Sequence, residues 1–283
     1  MSFDANAYRD ASQQGWEEAA AGWARGQELM RGFAAPVSHW MLDATAPQPG
    51  QRVLELAAGI GETGLLAAEL VAPVGGVIIS DQAEAMLAAA RERAVELGSS
   101  NVEFQVINAE WIDLKVATVD VVLCRWGFML MADPSAALGE TRRVLRPGGR
   151  VAFAVWDSIE HNPWAQLPAL ELAARGLATA PAPGTPGPFA LGRAETVYEL
   201  LEQAGFAELN VESLELHRLH ASFEEFWETT LDLSRSFHDA VLERPQREID
   251  EIEAAVRERM APFTSPAGVL DIPARTLVAS ASA

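Results

Sequence analysis

The residues best suited to bind a cofactor follow the first apolar run of the chain. Glycines at 59, 61 and 64 satisfy the pattern GxGxxG, which lets the backbone turn tightly from a strand into a helix and lets a ligand approach main-chain N–H groups. The same spacing is the fingerprint of dinucleotide-binding proteins, and alone it is weak evidence. Glu55, four residues before Gly59, would do nothing for a pyrophosphate, whereas it could help to hold an ammonium group. This loop therefore favours a nucleotide cofactor that carries a positive amine.

Polar residues also follow the next two apolar runs. Asp81 lies 20 residues after Gly61, where an acidic side chain can accept hydrogen bonds from two ribose hydroxyls. Asp81 could instead only cap the following helix, with Glu84 as its capping-box partner. After the third run, residues 108–110 offer a side-chain amide and a backbone N–H to the edge of an adenine. Together with the glycine loop, these positions predict a site for an adenosine-containing cofactor.

Aromatic residues and one histidine are the candidates for positioning a second substrate. Arg125, Trp126 and Trp156 leave the sheet at its carboxyl end, where open α/β folds bind ligands. His161 follows closely and is the only histidine placed to take a proton from a substrate, although a structural role is the preferred interpretation. The predicted substrate-binding residues are Trp23, Trp126, Trp156, His161, Trp164, Phe226 and Trp227. No nucleophile is paired with a base at a recognisable spacing, so no catalytic residue is predicted.

The elements that must position these residues alternate between short apolar runs and amphipathic stretches. The runs are too short and too rich in Val, Ile and Leu for helices, and each is predicted to be a buried parallel strand. They lie at 52–57, 76–80, 102–107, 120–124 and 150–156. Helices are predicted over 8–32, 83–97 and 134–145. This alternation predicts a parallel sheet with right-handed crossovers.

The alternation ends after Trp156. A Pro/Gly-rich connector at 178–188 is followed by a predicted helix at 193–204 and a predicted strand at 208–216. Residues 222–260 are predicted to be helical in two pieces, broken near Pro245 and opened by a capping box at Ser222. Residues 275–281 could close the sheet as its final strand.

The composition limits the classes of function. The 283 residues include 21 Lys and Arg against 40 Asp and Glu, a net charge of −19. A chain this acidic is unsuited to binding nucleic-acid phosphates, and an anionic membrane surface would not attract it. The single cysteine cannot make an internal disulfide, no Cys/His cluster has zinc-ligand spacing, and no stretch approaches the ~18 consecutive apolar residues of a membrane span. Without a signal-peptide pattern at the N-terminus, a soluble, cytoplasmic protein without a metal site is predicted.

The order and spacing of these motifs resemble the class I S-adenosylmethionine-dependent methyltransferases over about residues 30–216. The resemblance is closest to the small-molecule branch that includes the quinone-biosynthesis C-methyltransferases. It implies that Gly59 and Gly61 approach the methionine part of S-adenosylmethionine and that Asp81 binds the ribose. It also implies that Met86 packs on the adenine, whose edge Asn108 and Ala109 read. The cofactor-binding residues that it implies are Glu55, Ala57, Gly59, Gly61, Asp81, Gln82, Met86, Asn108, Ala109, Glu110 and Arg125.

Two positions depart from the family pattern, and one further motif agrees with it. Asn108 stands where Asp is common, and Ala57 stands where Gly is common. The turn at 145–149, Leu-Arg-Pro-Gly-Gly, matches the family motif before the fifth strand.

The resulting prediction is one Rossmann-like α/β domain with a mostly parallel sheet, an antiparallel last strand and helices on both faces. Its core comprises 33–221 and 270–283, whereas the helical segment 1–32 and the helical insert 222–269 are predicted to form a lid over the acceptor. The predicted reaction is in-line transfer of a methyl group to a small, apolar or aromatic acceptor. Two alternatives stay open: an NAD(P)-dependent oxidoreductase, which rests on GxGxxG alone, and a catalytically silent cofactor-binding regulator. The sequence also leaves the oligomeric state open, a homodimer included.

Overall fold

The computed structural model describes residues 3–179, 182 and 184–283, and in this part of the chain seven strands form one sheet. The strands are β1 (Arg52–Glu55), β2 (Gly76–Asp81), β3 (Val102–Val106), β4 (Val119–Arg125), β5 (Leu145–Trp156), β6 (Ala207–His220) and β7 (Leu270–Ser282). Their order across the sheet is β3-β2-β1-β4-β5-β7-β6, with β1 to β5 paired in parallel. Only β7 among them runs antiparallel to its neighbours, β5 and β6. The predicted Rossmann-like sheet is therefore confirmed.

Ten α-helices lie around the sheet within the same described residues. They are α1 (Ala5–Arg25), α2 (Gln27–Thr45), α3 (Glu62–Val71), α4 (Glu84–Leu97), α5 (Pro134–Val144), α6 (Pro163–Ala174), α7 (Ala194–Gln203), α8 (Phe223–Leu233), α9 (Arg235–Leu242) and α10 (Gln246–Met260). The start of α5 is determined locally, because Asp133 accepts the N–H of Ala136 at 2.9 Å and Pro134 occupies the first turn. Ser222 likewise accepts the N–H of Glu225 at the start of α8, at 3.3 Å.

Two segments divide into more helices than the sequence predicts. The single helix predicted over 8–32 is α1 followed by part of α2, and the two meet at Gly26. The segment 222–260 contains three helices, because Ser234 has an extended backbone between α8 and α9 in addition to the break at Pro245. One small residue is a weak stop signal in a sequence, so the apolar spacing alone does not reveal either break.

The helices that follow β6 have a core of their own. Phe223, Phe226, Trp227 and Phe237 form this cluster with apolar residues of α6, α10 and β7. In contrast, α2 belongs to the main core, since residues on its inner face such as Met41 are fully buried. Throughout the described residues, every helix is too short or too polar to cross a membrane.

Candidate functional site

A cavity lies at the carboxyl ends of β1, β2 and β4 and brings together nine of the eleven predicted cofactor-binding residues. The nine that line it are Glu55, Ala57, Gly59, Asp81, Gln82, Met86, Ala109, Glu110 and Arg125. The cavity contains about 1040 Å³ of empty space, part of it open to solvent. Parallel strands that end side by side leave such a crevice between their loops, which is where open α/β folds bind ligands.

Gly61 and Asn108 do not line this cavity. Gly61 has φ +79° at the start of α3, and a Cβ there would lie 3.1 Å from the Cβ of Ala90. The missing side chain therefore allows close packing of α3 against α4. Asn108 instead accepts the N–H of Glu110 on its Oδ1 at 2.9 Å, which shapes the turn after β3. A role for either residue in contacting a cofactor stays a prediction.

Asp81 joins the glycine loop to the start of α4. Its Oδ2 accepts the N–H of Gly59 at 2.8 Å, and its Oδ1 accepts the N–H of Ala83 at 3.0 Å. Burial raises the pKa of Asp81, although these N–H groups counteract the effect. The capping-box alternative is not found, because the N-cap of α4 is Ala83 and the Glu84 carboxylate pairs with Arg91. Asp81 is thus a buried acid at the edge of the cavity that also holds the loop in place.

Glu55 is a second buried acid, at the end of β1. It is 2% exposed, and its Oε2 has no hydrogen-bond partner among the described residues. Burial raises the pKa of Glu55 to about 8, while the positive charge of Arg125 acts in the opposite direction. The third glycine of the motif makes room for this carboxylate, since a Cβ on Gly64 would overlap Oε2. The cavity therefore contains an acid with one unpartnered oxygen that could bind a cation.

Trp126 forms a wall of the cavity in a strained backbone conformation. Its φ is +59°, which bulky residues rarely adopt. The indole N–H donates to Thr276 Oγ1 at 3.0 Å, and the ring stacks on Trp156 with centroids 4.4 Å apart. Ala57 also has a positive φ, +48°, and its methyl group takes the space that a Cβ on Gly127 would need. The glycine at 127 thus accommodates the alanine that departs from the family pattern.

Helix α1 covers the cavity, and of its lining residues the sequence predicted Trp23 alone. Tyr8, Arg9, Ser12, Trp16 and Trp23 line the cavity. Arg9 pairs with Glu110 at 2.5 Å, and Tyr8 donates to the Leu130 carbonyl at 2.9 Å. The signal was present in the spacing of residues 8, 12, 16 and 23, which places them near one face of a helix, but nothing in the sequence shows what that face contacts.

The two tryptophans at 156 and 164 lie behind the cavity wall. Of the predicted substrate-binding residues, Trp23 and Trp126 line the cavity. Trp156 stacks behind Trp126, and Trp164 packs against Trp156 with ring centroids 5.0 Å apart. The aromatic side chains at the ends of β4 and β5 therefore form one continuous stack, of which only the first ring reaches the cavity.

The other three predicted substrate-binding residues lie away from the cavity. The ring of His161 contacts the guanidinium of Arg275, and its side chain is 45% exposed. Phe226 and Trp227 are buried in the separate core of α8–α10. Their aromatic spacing therefore reflects packing within the insert, although Phe226 also touches His220 on β6.

Comparison with known proteins gives matches over the region that contains most of the cavity-lining residues. Residues 47–205 match the model of a family described as a methyltransferase domain. The chain is 36% identical over 111 residues to a ubiquinone/menaquinone biosynthesis C-methyltransferase of Pasteurella multocida, which is 39% of this chain and 41% of that protein. It is 35% identical over 119 residues to an arsenite methyltransferase of Halobacterium salinarum, 42% of this chain and 30% of that protein. The chain thus spans less than half the length of the curated relatives it matches.

A solved structure resembles nearly the whole chain. The YcgJ protein of Bacillus subtilis superposes with a TM-score of 0.58, covering 87% of this chain and 97% of that one, at 16% sequence identity. At this identity the likeness concerns the fold, and its coverage of the chain is larger than that of residues 47–205.

Proposed function

Because the chain belongs to the methyltransferase domain family, whose model its residues 47–205 match, we propose that it transfers a methyl group from S-adenosylmethionine to a small, apolar or aromatic acceptor. The observation that carries the proposal is the presence of two buried carboxylates in one cavity, Asp81 and Glu55, the latter with an unpartnered oxygen. A dinucleotide would place a pyrophosphate beside Glu55, where it would disfavour ionisation of the acid and offer no donor to the unpartnered oxygen, whereas an ammonium group would favour the carboxylate and donate to it.

The residues of the cavity fit S-adenosylmethionine. Each oxygen of Asp81 accepts one N–H and retains a lone pair that can accept from a ribose hydroxyl. Met86 and Ala109 offer apolar surface for an adenine. An ammonium group would satisfy Glu55 Oε2, and the buried guanidinium of Arg125 would attract a carboxylate. The site thus has complementary groups for the two ends of the cofactor.

The chain's own contribution to the reaction is alignment and exclusion of water. S-adenosylmethionine, when bound, supplies a methyl group on a sulfonium that is already a good leaving group. Proximity and orientation can contribute about 7–11 kcal/mol, so an acceptor that is held in line needs neither a metal nor a dedicated acid or base. Trp126 is held rigidly by its stacking and its hydrogen bond. Trp23 lines the same cavity, and its buried indole N–H, which has no partner within the described part of the chain, could donate to an acceptor oxygen.

Two helical segments close the site in this proposal. The segment 1–32 covers the cofactor side through α1, whose residues line the cavity. The insert 222–269, whose core packs against Trp164, would cover the far side of the aromatic stack, and the core would comprise 33–221 and 270–283. Arg25 of α1 pairs with Asp232 of α8 at 2.6 Å, so the two segments touch. Together they would exclude water from the reacting groups.

The acceptor in this proposal is a small molecule that the protein meets in the cytoplasm. The net charge of −19 opposes binding of a nucleic acid, whose phosphates require clustered cations.

Calorimetry tests the choice of cofactor directly. S-adenosylhomocysteine should bind to the purified protein, and NADH should not. Binding of NADH without binding of S-adenosylhomocysteine would overturn the proposal in favour of an oxidoreductase. Turnover is then tested by incubating the protein with S-adenosylmethionine and a panel of small aromatic acceptors and measuring S-adenosylhomocysteine. Binding without turnover across a broad panel would favour the silent regulator instead.

A further inference from the structure

Arg218 is a buried cation with no anion beside it. Its side chain is 7% exposed and lies between two rings, with the guanidinium carbon 4.4 Å from the centroid of Trp164 and 5.4 Å from that of Phe33. No carboxylate among the described residues pairs with it. Burial lowers the pKa of Arg218 to about 10, and no negative charge of the residues that the structure describes opposes that shift. An unpaired buried charge is costly, so an anionic ligand beside Arg218 would offset that cost.

His220 lies beside Arg218 with its hydrogen-bonding capacity unused. Residues 218 and 220 alternate with exposed neighbours on β6, so their side chains share the inward face of the strand. His220 is 1% exposed, and neither ring nitrogen has a partner among the described residues. Burial, assisted by the charge of Arg218, lowers the pKa of His220 to about 4. The ring is therefore neutral at neutral pH and has one N–H to donate.

These two residues lie at the back of the aromatic stack that borders the cavity. Phe33 contacts the Arg218 guanidinium and also stacks on Trp126, with ring centroids 5.6 Å apart. Trp126 lines the cavity. Arg218, between residues of α2 and α6, is thus one ring, that of Phe33, removed from the cavity-lining Trp126. His220 meets Phe226 of α8 at 5.5 Å.

We propose that Arg218 and His220 bind the carboxylate of the methyl acceptor, which makes the acceptor a small aromatic carboxylate. The inference rests on the proposed function and adds the class of substrate. The planar guanidinium can donate two parallel hydrogen bonds to a carboxylate, and the neutral imidazole can donate a third. One guanidinium beside a neutral ring balances a single negative charge, which suits a carboxylate better than a phosphate dianion. The flanking rings suit a flat aromatic body.

Calorimetry with benzoate and its neutral isostere benzamide tests the inference on the wild-type protein saturated with S-adenosylhomocysteine. We expect benzoate to bind at least tenfold more tightly than benzamide. Equal binding of the two probes, or no binding of benzoate, would overturn the inference. Because S-adenosylhomocysteine is titrated first in the same samples, failure of the proposed function is seen separately, as failure of that first titration. The wild-type comparison needs no variant and is decisive even if a variant does not fold.

Two substitutions locate the benzoate site. Arg218→Met keeps the length of the side chain and should weaken benzoate binding at least tenfold without changing the affinity for S-adenosylhomocysteine. Arg257→Met is the matched control, since Arg257 lies 4.1 Å over the ring of Phe223 but already pairs with Glu224 at 2.8 Å. It should bind benzoate as the wild type does. Unchanged benzoate binding by Arg218→Met, or equal losses in both variants, would contradict the assignment.

Discussion

Asp81 accepts the backbone N–H of Gly59 across the gap between two neighbouring strands, at 2.8 Å. The second oxygen of the same carboxylate accepts the N–H of Ala83 at the entrance to α4. One buried acid therefore fixes both the glycine loop and the helix that follows the next strand. Each oxygen retains one lone pair without a donor, whereas the polar atoms of a buried carboxylate are normally hydrogen-bonded. A ribose diol would supply the two donors.

Replacement of Asp81 tests this double role. Asp81→Ala should weaken binding of S-adenosylhomocysteine at least tenfold, because each hydrogen bond to a charged group is worth about 1.5–3 kcal/mol. Calorimetry measures the loss. Ser222→Ala is the control, since it removes a backbone N–H acceptor at the start of α8. It should leave the affinity unchanged. Wild-type affinity in Asp81→Ala would mean that Asp81 only organises the loop.

Proton release on cofactor binding tests the role of Glu55. Its pKa of about 8 means that the buried side chain is mainly protonated at pH 7, whereas an ammonium ligand would favour the carboxylate. Affinity for S-adenosylhomocysteine should therefore rise with pH from 6 to 8. Calorimetry at pH 7, in two buffers of different ionisation enthalpy, should show release of close to one proton.

Two variants complete that experiment. Glu55→Gln cannot release this proton. It should therefore bind S-adenosylhomocysteine more weakly, with a binding enthalpy that does not depend on the buffer. Glu62→Gln is the control, because Glu62 lines the same cavity but pairs with Arg31 at 3.2 Å. It should release the proton as the wild type does. Proton release that persists in Glu55→Gln would exclude Glu55 as its source.

The same pKa shift predicts how stability without cofactor depends on pH. The folded protein holds the Glu55 proton more tightly than the unfolded chain, whose glutamate has its ordinary pKa of 4.5. Stability from this group is complete below that value and is lost as the pH rises towards about 8. The free energy of unfolding, measured with urea, should therefore fall less over this range in Glu55→Gln than in the wild type. Parallel curves for the two proteins would contradict the raised pKa.

The sheet and the glycine loop could be predicted from the sequence because their signals are local. A buried parallel strand is a short run of apolar residues, and the residue that ends it must lie at the carboxyl edge of the sheet. Glu55, Asp81 and Arg125 each lie at the end of a strand, so their positions in the sequence are enough to predict that they meet at the cavity.

The cover of the cavity could not be predicted in the same way. Arg9 contacts Glu110 across 101 positions of sequence, and such a contact depends on how α1 docks. The aromatic spacing of Phe226 and Trp227 fits a ligand site and a packed core equally well, and the structure places both in a core. Arg218 escaped notice because the strand predicted at 208–216 ends before it, whereas β6 continues to His220 and buries this arginine, a residue that is normally exposed.

His161 should be dispensable for methyl transfer. Its ring contacts Arg275, which also binds Asp157 at 2.5 Å, and the group lies outside the cavity. His161→Ala should therefore keep the wild-type rate and pH profile, measured as S-adenosylhomocysteine formed with an active acceptor. A general base typically contributes about 10²–10⁴-fold. A loss of that size, with a changed pH profile, would assign the proton transfer to His161 after all.

Release of the cofactor should depend on how α1 is held. The Glu17 carboxylate accepts the N–H groups of Glu84 and Ala85 at 2.7 and 2.8 Å, so a residue of α1 caps the N-terminus of α4. Loss of a helix cap typically costs ~1 kcal/mol. Glu17→Ala should therefore open the cover more often and speed dissociation of S-adenosylhomocysteine about fivefold. A stopped-flow chase can follow this through the fluorescence of Trp16 and Trp23, which line the cavity.

The matched control for that experiment is Asp10→Ala. It removes the same charge from an exposed position on the same helix and should leave the dissociation rate unchanged. If both variants release the ligand faster, the effect is due to charge and not to the cap. If neither does, α1 is not the element that must move, and the ligand leaves by another route. If only Glu17→Ala releases the ligand faster, the contact between α1 and α4 is what keeps α1 over the cavity, because only that substitution removes the cap that α1 provides to the start of α4.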